Sequence, residues 1–242
     1  MCLILFAVDP SKTLHLVVAA NRDEQHSRAT ARADYWQDHP DLLGGRDLVA
    51  GGTWLGINRN GRFAAVTNFA EVPAEPLPPR SRGELTANFL VGDMNCVDYL
   101  SAMRPHAQEY RGFNLLISDG HSVFYFSNRE NQIRQLDRGF YGLSNQLLDC
   151  DWPKVTSGRN LLERQLVNSP DSCSQHNRLF DLLADQGDGT PHSARFIRGD
   201  DYGTSVSTVV ELSRTNIHFE ERGFDPAGRG TQICRYQLDR SK

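Results

Sequence analysis

The sequence predicts an α+β domain built mainly on antiparallel β-sheet. Two β-hairpins are predicted at the start of the chain, the predicted helices form two separate groups, and another hairpin closes the pattern. This order of strands, helices, strands, helices and strands differs from the βαβα alternation of a Rossmann-type sheet. No linker, repeat or low-complexity tract interrupts the 242 residues, so we expect a single domain over 1–242.

The first hairpin joins apolar runs at residues 3–8 and 14–20 through a turn that begins at Asp9, where Asp-Pro is a typical turn initiator. If this short turn sets the register, paired positions sum to about 22. Cys2 then lies opposite Ala20.

The second hairpin flanks Asn58-Arg59-Asn60-Gly61, because Asn-Gly favours the positive φ angles of a tight turn. It joins residues 54–57 and 63–66. Other apolar runs predict strands at 113–118, 122–127, 132–136, 140–143, 206–212 and 216–221.

Helices are predicted from their start signals and breakers. Ser81 with Glu84 three residues later resembles a capping box and predicts a helix to about Val91. A proline-rich loop at 71–80 precedes it. The other predicted helices are 96–109 with a break before Pro105, a helix from the cap Asp151 to about Val167, and 179–184.

Composition excludes several classes of protein. With 26 basic and 30 acidic residues, the net charge of −4 gives no broad cationic field, which disfavours nucleic acid as a partner. No apolar run approaches the ~18 residues of a membrane-spanning helix. The apolar N-terminus lacks the basic region of a signal peptide and meets Asp9 too soon. We therefore expect a cytoplasmic protein.

The five cysteines include no C-x-x-C pair, and the eight histidines include no paired metal motif, so reduced thiols are expected, with neither a metal nor an organic cofactor. Cys2 is the most informative of the cysteines. If the initiator Met1 is removed, Cys2 carries both a thiol and a free α-amine of pKa about 8, which can accept the thiol proton. The alternative is a buried cysteine that only starts a strand.

Polar residues end three of the predicted strands. Asn21-Arg22-Asp23-Glu24 follows the second strand, where Arg22 could stabilise a thiolate and Asp23 could hold the α-amine. Consecutive strand residues face opposite sides, so a bulge or turn is needed if both act on one site. Asn68 and Asn145 follow two other strands; each is either an oxyanion donor or a turn residue.

The motifs that carry a family resemblance are Met1-Cys2, Ala20-Asn21-Arg22-Asp23-Glu24, Gly51-Gly52-Thr53-Trp54-Leu55-Gly56, Val66-Thr67-Asn68-Phe69, Ser81-Arg82-Gly83 and Asp201-Tyr202-Gly203-Thr204. With them the chain resembles, over nearly its whole length, the NRDE family, whose eukaryotic members are called transport and Golgi organisation proteins. That family is similar to N-terminal nucleophile hydrolases of the bile-salt hydrolase, penicillin V acylase and isopenicillin N acyltransferase type. The resemblance implies a four-layer αββα sandwich with the nucleophile at a strand terminus.

The resemblance also implies site residues. They are Cys2 as nucleophile, Arg22 and Asp23 at the end of the second strand, Asn68 as oxyanion-hole Asn, Asn145 as the second Asn, and Arg198 as a late Arg near the thiol. One departure is Ser205, which stands where the family often has Arg. The implied activity is that of a cysteine amidohydrolase or acyltransferase on a non-peptide amide or acyl conjugate. The alternative is a non-catalytic binding or trafficking protein for haem or for an acyl or lipid ligand.

The substrate is expected to be a small molecule, and the sequence does not identify it. The loops at 25–50 and 71–80 are expected to shape its pocket. Tyr35, Trp36 and Trp54 either line that pocket or pack in the core.

Overall fold

A computed structural model describes residues 2–71, 80–167 and 172–240, the last range without the side chains of 172–175. Its strands are β1 (Leu3–Val8), β2 (Leu14–Gln25), β3 (Thr30–Tyr35), β4 (Leu42–Asp47), β5 (Leu55–Asn58), β6 (Phe63–Asn68), β7 (Phe113–Ser118), β8 (Val123–Ser127), β9 (Gln132–Leu136), β10 (Gly139–Leu143), β11 (Tyr202–Ser213), β12 (Asn216–Phe224) and β13 (Gly230–Asp239). Its helices are α1 (Gly83–Val91), α2 (Cys96–Met103), α3 (Pro153–Val167) and α4 (Ser172–Leu183), with a 3₁₀ turn at Arg104–Glu109.

The chain forms two compact units. The first comprises residues up to Arg28, Arg138–Ser144 and Leu148–Leu238, and the second comprises Ala29–Asp137, Asn145–Leu147 and the residues from Asp239 onward. The prediction of a single domain over 1–242 is not tested by this division and stays a prediction.

The first unit contains a six-stranded sheet in the order β10-β1-β2-β11-β12-β13. β1 is antiparallel to β10 and β2, and β11 is antiparallel to β2 and β12. Helices α3 and α4 contribute Val155, Leu162, Leu179 and Leu183 to a core shared with alternate residues of β1 and β2. This packing holds β1 in position, including the end that follows Cys2.

The second unit contains a seven-stranded antiparallel meander in sequence order from β3 to β9. Helices α1 and α2 pack on one of its faces through Leu85, Phe89 and Leu100. Gly61 has a φ of +82°, as the Asn-Gly turn of the second predicted hairpin requires. The predicted break before Pro105 is also confirmed, because α2 ends at Met103.

Several predicted elements were wrong. Residues 25–50 are not mainly a loop, since β3 and β4 pair within them. The Ser81 capping box does not form: α1 begins at Gly83, and its N-cap residue Arg82 makes no side-chain capping hydrogen bond. The helix predicted at 179–184 begins earlier, at Ser172, and β13 was not predicted. The proline-rich loop falls outside the described residues, apart from its end residues 71 and 80.

Candidate active site

Cys2 lies directly before β1, and the observed hairpin register differs from the predicted one. Leu3 pairs with Asn21 and Ile4 with Ala20, so the next position in this register brings Cys2 opposite Arg22. The turn is longer than expected because Val8 pairs with Leu16. The correction brings Cys2 closer to the polar run at the end of β2 than the sequence predicted.

Cys2 is buried, with 8% of its surface exposed, and both neighbouring strands hold it. Its Sγ is 4.0 Å from the Asp23 carbonyl oxygen, and Ser144 Oγ, just after β10, donates a 2.7 Å hydrogen bond to the Cys2 carbonyl. Burial raises the pKa of the Cys2 thiol; the positive amino terminus and Arg22 act in the opposite direction. A reactive thiolate at Cys2 therefore depends on nearby cations.

Asp23 has a buried carboxylate group and contacts residues of β11. Its Oδ1 accepts a 2.6 Å hydrogen bond from Thr204 Oγ1, and that hydroxyl in turn accepts one from Ile197 N at 2.9 Å. Tyr202 donates its hydroxyl to the Asp23 carbonyl at 3.1 Å. Desolvation raises the pKa of Asp23 to about 6, against the lowering effects of the amino terminus, Thr204 and Lys154. Asp23 is thus mostly ionised at neutral pH.

Arg22 is also buried, and its contacts show what Ser205 does in this chain. Arg22 Nη1 donates to Ser205 Oγ at 3.2 Å, and that hydroxyl donates to the Arg22 carbonyl at 3.1 Å. Arg22 Nη2 lies 3.4 Å from Glu24 Oε2. Ser205, which stands where the family often has an arginine, therefore holds the Arg22 guanidinium in place.

The bulge expected near Arg22 and Asp23 is present, but it lies on the neighbouring strand. Thr204 pairs with Asp23 and Val206 with Arg22, which leaves Ser205 as the extra residue of β11. β2 itself stays regular, so the Arg22 and Asp23 side chains point to opposite faces of the sheet. Each accordingly has its own partner on β11.

Asn21 has a structural contact that the sequence did not suggest. Its Nδ2 donates to the carbonyls of Leu183 and Arg195 at 3.0 and 2.7 Å, and its Oδ1 accepts from Ser207 Oγ at 2.6 Å. These bonds tie β2 to the end of α4.

Lys154 is a buried cation that sequence reasoning missed. Its side chain is only 1% exposed, yet it interacts electrostatically with Asp23 and Cys2. Burial lowers the pKa of Lys154, and those two groups raise it. A signal was available: Lys154 shares a buried face of α3 with Gly158 and Leu162, at spacings of four residues, and stands in the first helical turn, where a cation is unfavourable.

Asn68 and Asn145 are brought together within the second unit. Asn145 is buried, and its Nδ2 donates a 2.8 Å hydrogen bond to the Asn68 carbonyl. The Asn145 carbonyl accepts from Ala70 N at 2.8 Å. The Asn68 side chain is exposed. One amide N–H of Asn145 is thus engaged by the backbone, and the oxyanion role of both residues stays a prediction.

Arg198 is exposed, and a Cβ on Gly228 would lie 2.6 Å from its Nε. Within the described ranges no hydrogen bond or ion pair joins its side chain to Cys2, Arg22 or Asp23. The neighbouring Arg195 is the buried one, held by Leu182, Ser157 and Asp185. The site role of Arg198 stays a prediction.

Of the aromatic residues expected near a pocket, Trp36 packs in the core of the second unit and donates its Nε1 to the Gly44 carbonyl at 3.0 Å. Among the described residues, no group of three or more His, Cys, Asp or Glu side chains is arranged to hold a metal ion. The predicted lack of metal and cofactor stays a prediction. None of the helices described is long and apolar enough to cross a bilayer.

A family model described as Transport and Golgi organisation 2 matches residues 1–226. The chain is 40% identical to the human Transport and Golgi organization protein 2 homolog, with 92% of each chain covered. It is 36% identical to the Mus musculus homolog, again with 92% of each covered. It is 26% identical to the Drosophila melanogaster protein, with coverage of 93% of this chain and 84% of that one.

Solved structures of much lower identity share the fold. A C2A variant of conjugated bile acid hydrolase from Clostridium perfringens aligns with a TM-score of 0.55 and 9% identity, covering 98% of this chain and 96% of its own. A Caenorhabditis elegans ortholog of N-acylethanolamine-hydrolyzing acid amidase aligns with a TM-score of 0.52 and 9% identity, covering 86% and 92%. These similarities confirm the predicted fold class, the αββα type of N-terminal nucleophile hydrolases.

Proposed function

The chain belongs to the Transport and Golgi organisation 2 family, and from its fold and site we propose that it is a cysteine amidohydrolase or acyltransferase acting on carbon–nitrogen bonds other than peptide bonds. The observation that carries the proposal is the position of Cys2. The residue that begins a processed chain lies at the end of the β1–β2 hairpin, opposite Arg22, with its Sγ 4.0 Å from the Asp23 carbonyl oxygen.

In the proposed mechanism the α-amine of processed Cys2 accepts the thiol proton, and Asp23 stabilises the ammonium that forms. The thiolate attacks the carbonyl carbon of the substrate, and Asn68 and Asn145 are the predicted donors to the resulting oxyanion. The ammonium then protonates the departing amine as the carbon–nitrogen bond breaks. Water, or a second amine, releases the acyl group from the Cys2 thioester.

The first test is the mature N-terminus. We expect intact-mass measurement of protein made in cells to show a chain without Met1, because Cys2 is small enough for the initiator to be removed. A dominant species that keeps Met1 would contradict the mechanism, since Cys2 would then have no free α-amine.

The second test is turnover. Conjugated bile acids and N-acylethanolamines, which the two solved neighbours are named for, start a panel of N-acyl compounds. We expect Cys2→Ser, which preserves processing, to lower kcat strongly. Cys234→Ser, at a half-buried thiol on β13, is the matched control and should keep activity. Equal activity of the wild type and Cys2→Ser on every hydrolysed compound would rule out Cys2 as the nucleophile.

A second candidate is binding of an acyl or lipid ligand without turnover. It is favoured by a groove of about 350 Å³ in the second unit, lined by Leu85, Phe89, Tyr99, Met103 and Tyr110 among others. This volume lies in the range of small-molecule sites. Retained Met1 together with saturable binding that Met103→Glu abolishes would favour this candidate over the enzyme.

A further inference from the structure

Lys154 is a buried cation that the mechanism above does not use. It is among the largest fully buried side chains of the described residues. A buried ammonium is costly unless negative charge or hydrogen-bond acceptors surround it. Its place in the first turn of α3 adds to this cost, since the helix N-terminus repels cations. We therefore expect a negatively charged group close to the Lys154 ammonium.

The packing of α3 directs Lys154 toward β1. A Cβ on Gly158 would lie 2.7 Å from Leu5 Cδ1, so the glycine allows the helix to approach the strand closely. Lys154 stands one turn earlier on the same face. Its ammonium lies 5.6 Å from the Trp152 ring centroid.

The groups that face Lys154 are few. It interacts electrostatically with Asp23 and Cys2 and, more weakly, with the Cys150 thiol. His192 is the next titratable group, stacked on Trp152 with ring centroids 4.0 Å apart. Among these described groups around Lys154, Asp23 is the carboxylate.

Lys154 balances the charges around Cys2 once the thiol is ionised. When the α-amine of a processed chain has taken the thiol proton, the cations are the α-ammonium, Arg22 and Lys154. The anions are the Cys2 thiolate, Asp23 and Glu24, which pairs with Arg22 at 3.4 Å. Three cations then match three anions, whereas without Lys154 the ionised site carries one excess negative charge, which disfavours the thiolate.

We propose that Lys154 is a further residue of the Cys2 site, whose ammonium stabilises the Cys2 thiolate. The inference rests on the proposed function, in which Cys2 is the nucleophile. It concerns the charge state of the thiol before any substrate binds, so it can be tested without turnover.

The experiment measures the rate of Cys2 alkylation by iodoacetamide from about pH 6 to about pH 10, by peptide mapping, in the wild type and three variants. We expect Lys154→Met, which fills the same space, to slow Cys2 labelling about tenfold at neutral pH, because the thiol pKa rises by about one unit. Lys154→Arg should keep most of the wild-type rate. Arg159→Met is the control, since it removes a cation of α3 that pairs with Asp149 at 3.2 Å.

The outcomes separate this inference from the proposed function. Fast Cys2 labelling in the wild type with an equal rate in Lys154→Met overturns the role of Lys154 alone. If Lys154→Met does not fold, Lys154→Gln is compared with Lys154→Arg, and equal rates in those two overturn it as well. Wild-type labelling of Cys2 no faster than that of Cys234 overturns both proposals. An activated Cys2 that turns over no substrate leaves the Lys154 inference standing and counts against the enzyme.

Discussion

Asp23 carries a charge whose burial makes the stability of the protein depend on pH. Its pKa rises from 3.8 to about 6 on folding, so the folded chain holds a proton over this interval that the unfolded chain has lost. The free energy of unfolding therefore falls as pH rises from about 4 to about 6. Thr204 and Lys154 reduce this loss of stability, because both favour the ionised Asp23 carboxylate.

We expect Asp23→Asn to remove this pH dependence. Asn keeps the oxygen that accepts from Thr204 but carries no charge. Relative to the wild type, the variant should gain about 2 kcal/mol between about pH 4 and about pH 6, which is most of the ~3 kcal/mol that corresponds to the full pKa difference. Urea unfolding of both proteins across this range measures the gain. A difference in stability that stays constant with pH would show that Asp23 titrates normally.

Asn68 gives a second prediction for a single side chain. If it donates to the oxyanion, Asn68→Ala should lower kcat by roughly 10²–10³. KM and melting temperature should change little, because the donor acts on charge that develops in the transition state and the side chain is exposed. Kinetics with a hydrolysed substrate and a thermal melt test this. A lower melting temperature with unchanged kcat would make Asn68 a turn residue.

Helix α3 links packing to the chemistry of the site. Gly158 lies against Leu5, and Val155 lies against Gly142 of β10, where a Cβ would come within 2.7 Å of it. The same helix carries Lys154 one turn before Gly158. The distance between α3 and β1 therefore controls how the Lys154 ammonium sits relative to Cys2.

We expect Gly158→Ala to destabilise the protein by about 1–3 kcal/mol. In an unconstrained helix this change stabilises, because alanine has the higher helix propensity. Here the added methyl group meets Leu5, so α3 must shift. The shift should also slow Cys2 alkylation. Asn160→Ala, at an exposed position of the same helix, is the control; it should not destabilise the protein and should leave Cys2 alkylation unchanged.

At the scale of the whole molecule, local signals predicted the elements with strong periodicity or clear breakers. The hairpin at Gly61 and the break before Pro105 are such cases. β3 and β4 were missed because β3 contains the charged residues Arg32 and Asp34, and β4 contains Gly44 and Gly45, which are poor strand formers. Their pairing is a tertiary effect that no short window of sequence reveals.

The candidate site was predictable only in part, for a similar reason. Cys2, Arg22 and Asp23 were found because they flank one hairpin, and their proximity is local. The register was wrong because Asp9 adopts a φ of +45° and bonds His15, which lengthens the turn. Lys154 comes from a helix about 150 positions away along the chain, and Ser205 from a bulge that only strand pairing defines. Contacts over such separations require the fold itself.

The division of the chain into two units bears on the cooperativity of unfolding. Each is built from separate stretches of chain, and the path passes from one unit to the other at Arg28, Asp137, Ser144, Leu147 and Leu238. Neither unit can therefore be cut out as a continuous segment. We expect one cooperative unfolding transition, as the single-domain prediction requires.

The three tryptophans allow a direct measurement, because Trp152 lies in the first unit and Trp36 and Trp54 lie in the second. Trp152→Phe leaves only reporters in the second unit, and the double variant Trp36→Phe/Trp54→Phe leaves only the reporter in the first. In each variant the fluorescence midpoint in urea should coincide with the far-UV circular dichroism midpoint. Loss of Trp152 fluorescence at a urea concentration where most circular dichroism remains would instead show that the first unit, with Cys2 and Lys154, unfolds on its own.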